Sequence, residues 1–228
     1  MNLPPHRSPV HEQLDSTGIQ WIDVGQSRTV RCFGSAEKEI QSFHDLGICD
    51  ASCLQCWGLK GPEADTWLVA QSWQAADDIY SSWTSKEGLQ IFRLGKDEFL
   101  IAAAPNVNAE ALTSIGASSL VQDNTILFRR QDAVFVLTGL RATQLLAQTC
   151  GIHWNEMGLD QLVLTRVAGV SCTILPTERD GNPMFRIWLE PSYAIYLWQQ
   201  IFTICRDLGG EMIGLGVVYP NWLIEGSS

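Results

Sequence analysis

Residues 184–198 read MFRIWLEPSYAIYLW, a strand-like run that changes into a helix at Pro191. Residues 184–190 follow the turn sequence DGNP at 180–183 and are rich in the apolar and aromatic side chains typical of strands. Pro191 suits the first turn of a helix, and apolar residues then recur at helical spacing as far as Gly209-Gly210. The stretch predicts a strand that leads into the longest helix of the chain.

The rest of the chain predicts two blocks in which antiparallel strands and helices alternate. The clearest hairpin joins residues 89–94 to 99–104 through the polar link GKDE at 95–98. Further strands are predicted at 52–60, 125–129, 133–137, 162–167 and 170–175. The pattern predicts an α+β fold with antiparallel sheets rather than a doubly wound parallel sheet.

Both blocks contain residues that typically begin or end helices. Ser35 is a candidate N-cap for a helix that ends near Gly47 and buries Ile40 and Phe43. A helix carrying Ala64, Trp67 and Leu68 is predicted to begin at Pro62, and one capped by Asn106 or Asn108 to close at Gly116. A helix opening at Gly139 is predicted to place Leu140, Leu145 and Leu146 on one face and to stop at Gly151.

Domain boundaries are weakly marked. The first ten residues carry three Pro and predict an extended arm, able to lie on another subunit. Small residues and Ser accumulate at 116–122. We therefore predict a first α+β domain over residues 11–118 and a second over 119–228.

Composition excludes several classes of function. A formal charge of −10 without clustered Lys or Arg argues against a nucleic-acid binder. No apolar run approaches the roughly 20 residues that span a bilayer, and the N-terminus lacks a signal-peptide core, so a cytoplasmic protein is expected. The odd number of Cys, seven, predicts reduced thiols. Only 18% charged residues and nine Trp indicate a surface partly covered by a partner.

The sharpest local motif is Cys49-x3-Cys53-x2-Cys56, a spacing that lets three thiolates hold a four-iron cluster. Against this, a strand over 52–60 would point Cys53 and Cys56 to opposite faces. Buried, small, apolar cysteines are the alternative interpretation. A zinc site that adds Cys32 or His44 lacks finger-like spacing.

No other motif assembles a nucleophile, a base and an orienting group. A Cys nucleophile would need one of the four histidines, and no spacing ties a pair together; a G-x-S-x-G elbow is absent from the sequence. Gly214-x-Gly216 predicts a close backbone contact at a strand end rather than a phosphate loop. Asp77-Asp78 is either a metal or acid–base pair or, more simply, a solvated loop. Arg129-Arg130, Arg141 and Arg166 suit bidentate binding of a carboxylate, with surface salt bridges as the alternative.

The order of several short segments resembles the folate-binding fold of the glycine-cleavage T protein, an aminomethyltransferase. The matching segments are His11 to Gly25, Glu39 to Ser52, LKGP at 59–62, FRLGKDEFL at 92–100, FVLTGLRA at 135–142 and Gly214-Leu215-Gly216. The resemblance implies a folate-binding α+β fold of two interlaced domains, here without the T protein's C-terminal barrel.

Departures from the T-protein pattern fall on its acidic positions. Glu87 and Gly88 stand where that family has an Asp pair, and Arg186 stands where a Glu that contacts the pterin is expected. Val217-Val218 replaces an Arg-Asp pair. These changes imply that the chain does not transfer aminomethyl groups by itself.

Residues 165–171 and especially 185–198 are more similar to a narrower branch, the gamma subunits of heterotetrameric sarcosine oxidase. This resemblance implies an accessory, non-catalytic subunit packed against larger oxidase or demethylase subunits that act on a secondary N-methyl amine. FAD, FMN and NAD are then expected on the partner subunits, with tetrahydrofolate as the one-carbon acceptor. The alternative is a stand-alone tetrahydrofolate-binding protein in which Arg141, Arg166 and Arg186 hold the glutamyl tail; an iron–sulfur enzyme is a third hypothesis.

Overall fold

The computed structural model describes residues 6–14, 18–74, 77–103 and 124–220. The strands, in chain order, are β1 His6–Arg7, β2 Gln20–Val24, β3 Ser27–Cys32, β4 Gly47–Asp50, β5 Cys56–Lys60, β6 Ser82–Thr84, β7 Leu89–Gly95, β8 Glu98–Ala103, β9 Ile126–Arg130, β10 Ala133–Thr138, β11 Val163–Val167, β12 Val170–Arg179, β13 Asn182–Leu189 and β14 Glu211–Met212. The α-helices are α1 Ala36–Asp45, α2 Ala64–Ala70, α3 Ala142–Thr149, α4 Ala194–Asp207 and α5 Leu215–Val218. Short 3-10 helices lie at His11–Gln13, Trp154–Glu156 and Pro191–Tyr193.

The largest sheet has six strands in the order β11-β12-β13-β10-β4-β14. All its neighbours are antiparallel except β14, which runs parallel to β4 over two residues. Helices α3 and α4 cover one face, because Phe135 and Ile187 of the sheet and Leu145 and Trp198 of the helices belong to one buried cluster. Trp198 meets Phe135 edge-on, with ring centroids 5.1 Å apart. This face is the main hydrophobic core.

Two smaller sheets complete the described fold. A three-stranded sheet has the order β1-β3-β2, and a five-stranded antiparallel sheet has the order β6-β7-β8-β5-β9. Helix α2 packs on the five-stranded sheet through Leu68, in a cluster with Trp57, Leu59 and Ile91. The predicted α+β architecture with mainly antiparallel sheets is confirmed.

The chain forms two compact units that are interleaved in sequence. One unit comprises Met1–Cys53, Asp132–Leu159 and Val163–Ser228, and contains the six- and three-stranded sheets. The other comprises Leu54–Gln131 and Asp160–Leu162, and contains the five-stranded sheet. The first unit draws on distant parts of the chain, because β4 pairs with β10. The predicted boundary and the predicted helix between Asn106 and Gly116 lie outside the described residues.

Two predictions about helix faces are wrong. Ile40 is 49% exposed, because α1 instead turns Glu39 and Phe43 inward. Leu140 is 67% exposed and precedes α3, which begins at Ala142. Gly139 adopts a φ of +99° with its Cα against the backbone of Asp45, so the chain turns sharply before the helix can start.

The predicted strand over 52–60 is shortened to Cys56–Lys60, because residues 51–55 form a turn. The longest helix, α4, begins at Ala194 after a 3-10 turn at Pro191–Tyr193, close to its predicted start.

None of the helices in the described ranges combines the length and apolar character needed to cross a bilayer.

Candidate functional site: a buried arginine on the second face of the six-stranded sheet

Strand register divides the six-stranded sheet into a helix-covered face and a second face that carries Arg186. In an antiparallel sheet, directly paired residues point to the same side. Arg186 on β13 pairs with Val136 on β10 and with Leu175 on β12, and Val136 pairs with Cys49 on β4. The neighbouring row, which includes Phe135 and Ile187, enters the core beneath α3 and α4. Arg186 therefore lies on the face opposite those helices.

Arg186 is a buried cation held among aromatic rings. Its residue is 8% exposed, and its guanidinium carbon lies 5.5 Å from the Trp188 ring centroid and 6.0 Å from that of Tyr219. Aromatic faces attract a guanidinium through their quadrupole, an effect that strengthens away from water. Burial raises the pKa of the Tyr219 phenol, and the Arg186 charge opposes that rise. The arrangement favours a neutral phenol beside a fixed positive charge.

A second arginine fixes the segment that carries Tyr219. Arg179, at the end of β12, donates through Nη1 to the carbonyl of Val217 at 2.8 Å and to that of Val218. Its guanidinium carbon also lies 3.8 Å from the Phe43 ring centroid. Burial lowers the pKa of Arg179, with Asp180 opposing the shift. These contacts occupy the last carbonyls of α5, and so position Tyr219 directly after the helix.

A buried carboxylate, Asp50, lies at the end of β4 in the segment that resembles the T protein. It is 5% exposed, and its Oδ1 accepts hydrogen bonds from Ser52 Oγ at 2.6 Å and from Ser52 N at 3.2 Å. Ser52 Oγ also accepts from Val134 N at 3.0 Å, so the turn is fastened to β10. Burial raises the pKa of Asp50, and hydrogen bonds from Ser52 and Ser8 and the charge of His11 oppose that rise. Within the described ranges, Oδ2 has no hydrogen-bond donor.

Glu39 is a second buried carboxylate, and sequence reasoning assigned it no individual role. Its Oε1 accepts from Phe33 N at 2.7 Å and from Cys32 Sγ at 2.9 Å, while Oε2 accepts from Gly214 N at 2.6 Å. The Glu39 side chain therefore links α1 both to the end of β3 and to the start of α5.

The outer two cysteines of the cluster motif are divided between two sheets. Cys49 lies on β4 of the six-stranded sheet, whereas Cys56 lies on β5 of the five-stranded sheet. No group of three or more metal-ligating side chains occurs among the residues described. Burial raises the pKa of the Cys49 thiol and of the Cys53 thiol, and the charge of Asp50 adds to both shifts. Neutral buried thiols are poor nucleophiles, and their burial is consistent with the apolar interpretation of these residues.

The three arginines proposed from sequence lie in three different environments. Arg141 is exposed at the N-terminus of α3, where it donates to the carbonyl of Leu208 beyond α4. Arg166 is exposed on the edge strand β11, on the same sheet face as Arg186. Arg166 pairs with Ser171, four residues along β12 from the partner of Arg186, so their Cα atoms are about 16 Å apart. Arg186 alone of the three is buried.

The positions that replace the T protein's Asp pair lie in an exposed turn before β7. The Ser85 hydroxyl accepts from Glu87 N at 3.2 Å and from Leu89 N at 3.1 Å, which fixes this turn. A hydrogen bond from Ser85 holds the pKa of the Glu87 carboxyl below its usual value. Glu87 is therefore an ionised surface group in a turn stabilised by Ser85.

Gly214 confirms the close backbone contact predicted from its sequence. A Cβ on Gly214 would lie 2.1 Å from the carbonyl oxygen of Arg31 and 2.6 Å from Cys32 N. Only glycine fits at this crossing of β3 and the start of α5.

Curated aminomethyltransferases are similar to this chain in sequence. No protein-family model matches the chain. The chain is 24% identical over 224 residues to an aminomethyltransferase of Thermotoga petrophila and 22% identical over 223 residues to that of Thermotoga maritima, with 92% of this chain and 61% of each relative covered. The chain thus spans about three fifths of the length of these curated relatives.

Solved structures define the fold class. The crystal structure of the glycine cleavage system aminomethyltransferase T from Bartonella henselae superposes with a TM-score of 0.73 at 20% identity, over 93% of this chain and 60% of that one. The chain has the T-protein-like folate-binding fold. A chain of the heterotetrameric sarcosine oxidase from Corynebacterium sp. U-96 superposes with a TM-score of 0.64 at 16% identity, over 90% of this chain and 97% of that one.

Proposed function

We propose that this protein is an accessory, non-catalytic subunit of the gamma type in a multi-subunit amine oxidase or demethylase. The host complex would demethylate a secondary N-methyl amine oxidatively and pass the one-carbon unit to tetrahydrofolate, with FAD, FMN and NAD on the larger subunits. The observation that carries the proposal is the match to a chain of a heterotetrameric oxidase over 97% of that chain's length.

The chemistry of the buried site supports a non-catalytic role. A guanidinium stands at Arg186, where the T-protein pattern has a carboxylate, and Tyr219 beside it is a neutral phenol. A buried cation disfavours protonation of an amine nearby, whereas a carboxylate would stabilise the protonated amine. The two buried carboxylates in the same unit, Glu39 and Asp50, serve backbone and serine donors.

Exposed apolar side chains support a covered surface. Tyr193, Ile195 and Tyr196 at the start of α4 are 56%, 46% and 49% exposed. Together with a charged fraction of 18%, they favour a chain that buries part of its surface against another protein.

Activity of a complex purified through this chain tests the proposal. The tagged full chain, expressed in its native host, is captured, and the eluate is assayed for oxygen uptake and formaldehyde release with sarcosine, N-methylglutamate and methylamine. We expect activity with one of these amines and none from the recombinant chain alone. An eluate without flavin that oxidises none of them would overturn the proposal.

A stand-alone tetrahydrofolate protein is the second candidate, favoured by the similarity to aminomethyltransferases over 92% of this chain. Arg186, with Arg141 or Arg166, would bind the glutamyl tail through bidentate hydrogen bonds. Calorimetric titration of the recombinant chain with tetrahydrofolate separates the candidates. Saturable binding that Arg186→Gln abolishes and the exposed-site control Arg206→Gln retains would favour this candidate. Absence of binding at millimolar ligand would remove it.

A further inference from the structure

A pocket on the three-stranded sheet carries charges that the proposed function does not use. It has a volume of about 380 Å³ and is lined by Arg7, His11, Glu12, Trp21 and Arg28. All five belong to the unit that contains the six-stranded sheet. Its volume falls within the range of small-molecule sites.

Strand register places two arginines side by side at this pocket. β1 runs parallel to β3 with Arg7 opposite Arg28, and β2 runs antiparallel to β3 with Asp23 opposite Arg28. Paired residues point to the same face, with adjacent strands about 4.8 Å apart. Two neighbouring guanidinium groups repel each other unless anions lie nearby.

One of the two arginines is already neutralised. Arg28 donates through Nε to Asp23 Oδ1 at 2.7 Å and through Nη2 to Asp23 Oδ2 at 3.1 Å, a bidentate pair that lowers the pKa of Asp23. This pairing leaves the Nη1 donors of Arg28 available. Arg7 makes no salt bridge or side-chain hydrogen bond with any residue in the described ranges, and neither does Glu12. With respect to the described residues, the pocket therefore presents one uncompensated cation, Arg7, and one uncompensated anion, Glu12.

The remaining wall of the pocket is aromatic. The rings of His11 and Trp21 lie 4.6 Å apart between centroids, at an angle of 40°. Among described residues the buried His11 Nδ1 has no hydrogen-bond partner. An indole face attracts an ammonium group, and an imidazole nitrogen can exchange a hydrogen bond with a ligand.

We propose that this pocket binds a small zwitterionic amino carboxylate. The ligand carboxylate bonds the guanidinium of Arg7 and the Nη1 donors of Arg28, and its ammonium group lies against the Glu12 carboxylate and the Trp21 ring. A ligand with only a carboxylate would be repelled by the Glu12 carboxylate, and a ligand with only an ammonium group would be repelled by the Arg7 guanidinium. Arg186 is not among the residues that line this pocket.

The test is nuclear magnetic resonance of the full chain carrying ¹⁵N-labelled tryptophan, at low salt and neutral pH. The chain has nine Trp, and Trp21→Phe assigns the indole signal of Trp21. The probes are glycine, β-alanine and 4-aminobutanoate, which differ in the separation of their two charges, with acetate and methylamine as single-charge controls. We expect one zwitterion to shift the Trp21 signal saturably, with about tenfold weaker effects from both controls.

Substitutions of the charged pocket residues test whether the shift of the Trp21 signal depends on those charges. Arg7→Gln and Glu12→Gln are each expected to weaken binding of that zwitterion about tenfold, and Arg206→Gln, an exposed change on α4, to leave it unchanged. If none of the three zwitterions moves the Trp21 signal into the tens of millimolar, or if acetate or methylamine binds as tightly, the proposal fails. Retention of binding by Arg7→Gln, with the fold intact by circular dichroism, overturns it as well.

Discussion

At the scale of single residues, two buried or half-buried charged side chains join backbone segments that are distant in the sequence. Glu39 accepts three hydrogen bonds, and Arg179 serves the last carbonyls of α5. Arg186 was identifiable from sequence because it replaces an expected Glu. Glu39, Arg179 and Tyr219 were not, because their partners lie far away in the chain and nothing local marks them.

Removal of the Glu39 carboxylate tests its role. Glu39→Ala leaves the amides of Phe33 and Gly214 without their acceptors, and we expect it to lower the free energy of unfolding by about 3 kcal/mol. Glu37→Ala, an exposed change in the same first turn, is the control, with an effect below about 0.5 kcal/mol. Urea denaturation measures both; equal effects would contradict the role assigned to Glu39.

The raised pKa of Asp50 predicts that the free energy of unfolding depends on pH. Its pKa is raised in the folded chain, so the folded state binds more protons than the unfolded state between the unfolded pKa, about 3.9, and the higher folded pKa. The contribution of Asp50 to stability therefore falls as pH rises through that window. Asp50→Asn keeps an acceptor for Ser52 but cannot ionise.

We accordingly expect the stability of Asp50→Asn relative to wild type to improve between pH 4 and pH 7. The measurement is urea denaturation across this range, with Asp207→Asn at the exposed end of α4 as the control. A difference from wild type that stays constant with pH would show that the Asp50 carboxyl is not perturbed.

At the scale of elements, the sequence predicted those strands and helices whose formation depends on interactions within the segment itself. The hairpin of β7 and β8 and the helix α4 were predicted to within a few residues, because a polar link and an apolar stripe are contained in the segments themselves. The turn at 51–55 was missed because the Asp50–Ser52 hydrogen bonds depend on β10. The pairing of β4 with β10 joins residues more than eighty positions apart, and no local signal encodes it.

The crossing of β3 and α5 gives a prediction at this scale. Gly214→Ala would force a Cβ against the Arg31 carbonyl, and since backbone cannot yield as a side chain can, we expect a loss of about 1–3 kcal/mol. Gly151→Ala, whose Cβ would meet nothing within 4 Å, should be neutral or slightly stabilising. Thermal unfolding of both variants is the measurement; tolerance of Gly214→Ala would mean that α5 is not packed closely on β3.

At the scale of the whole molecule, the fold was recognisable from the order of weak motifs, although no single motif was decisive. The T-protein-like fold accounts for the matched aminomethyltransferases and the matched oxidase chain alike. Function is less constrained by this similarity, because one fold supports different roles through a few side chains. The accessory role that we propose therefore depends on what the chain binds, which the fold alone does not determine.

Native mass spectrometry of the tagged chain purified from its host tests that role most directly. The chain alone has a mass of 25.3 kDa. The account predicts an assembly that contains this chain together with larger, flavin-carrying subunits, and that releases the 25.3 kDa chain on gentle activation. Detection of only the 25.3 kDa species or its whole-number multiples, without flavin, would contradict it.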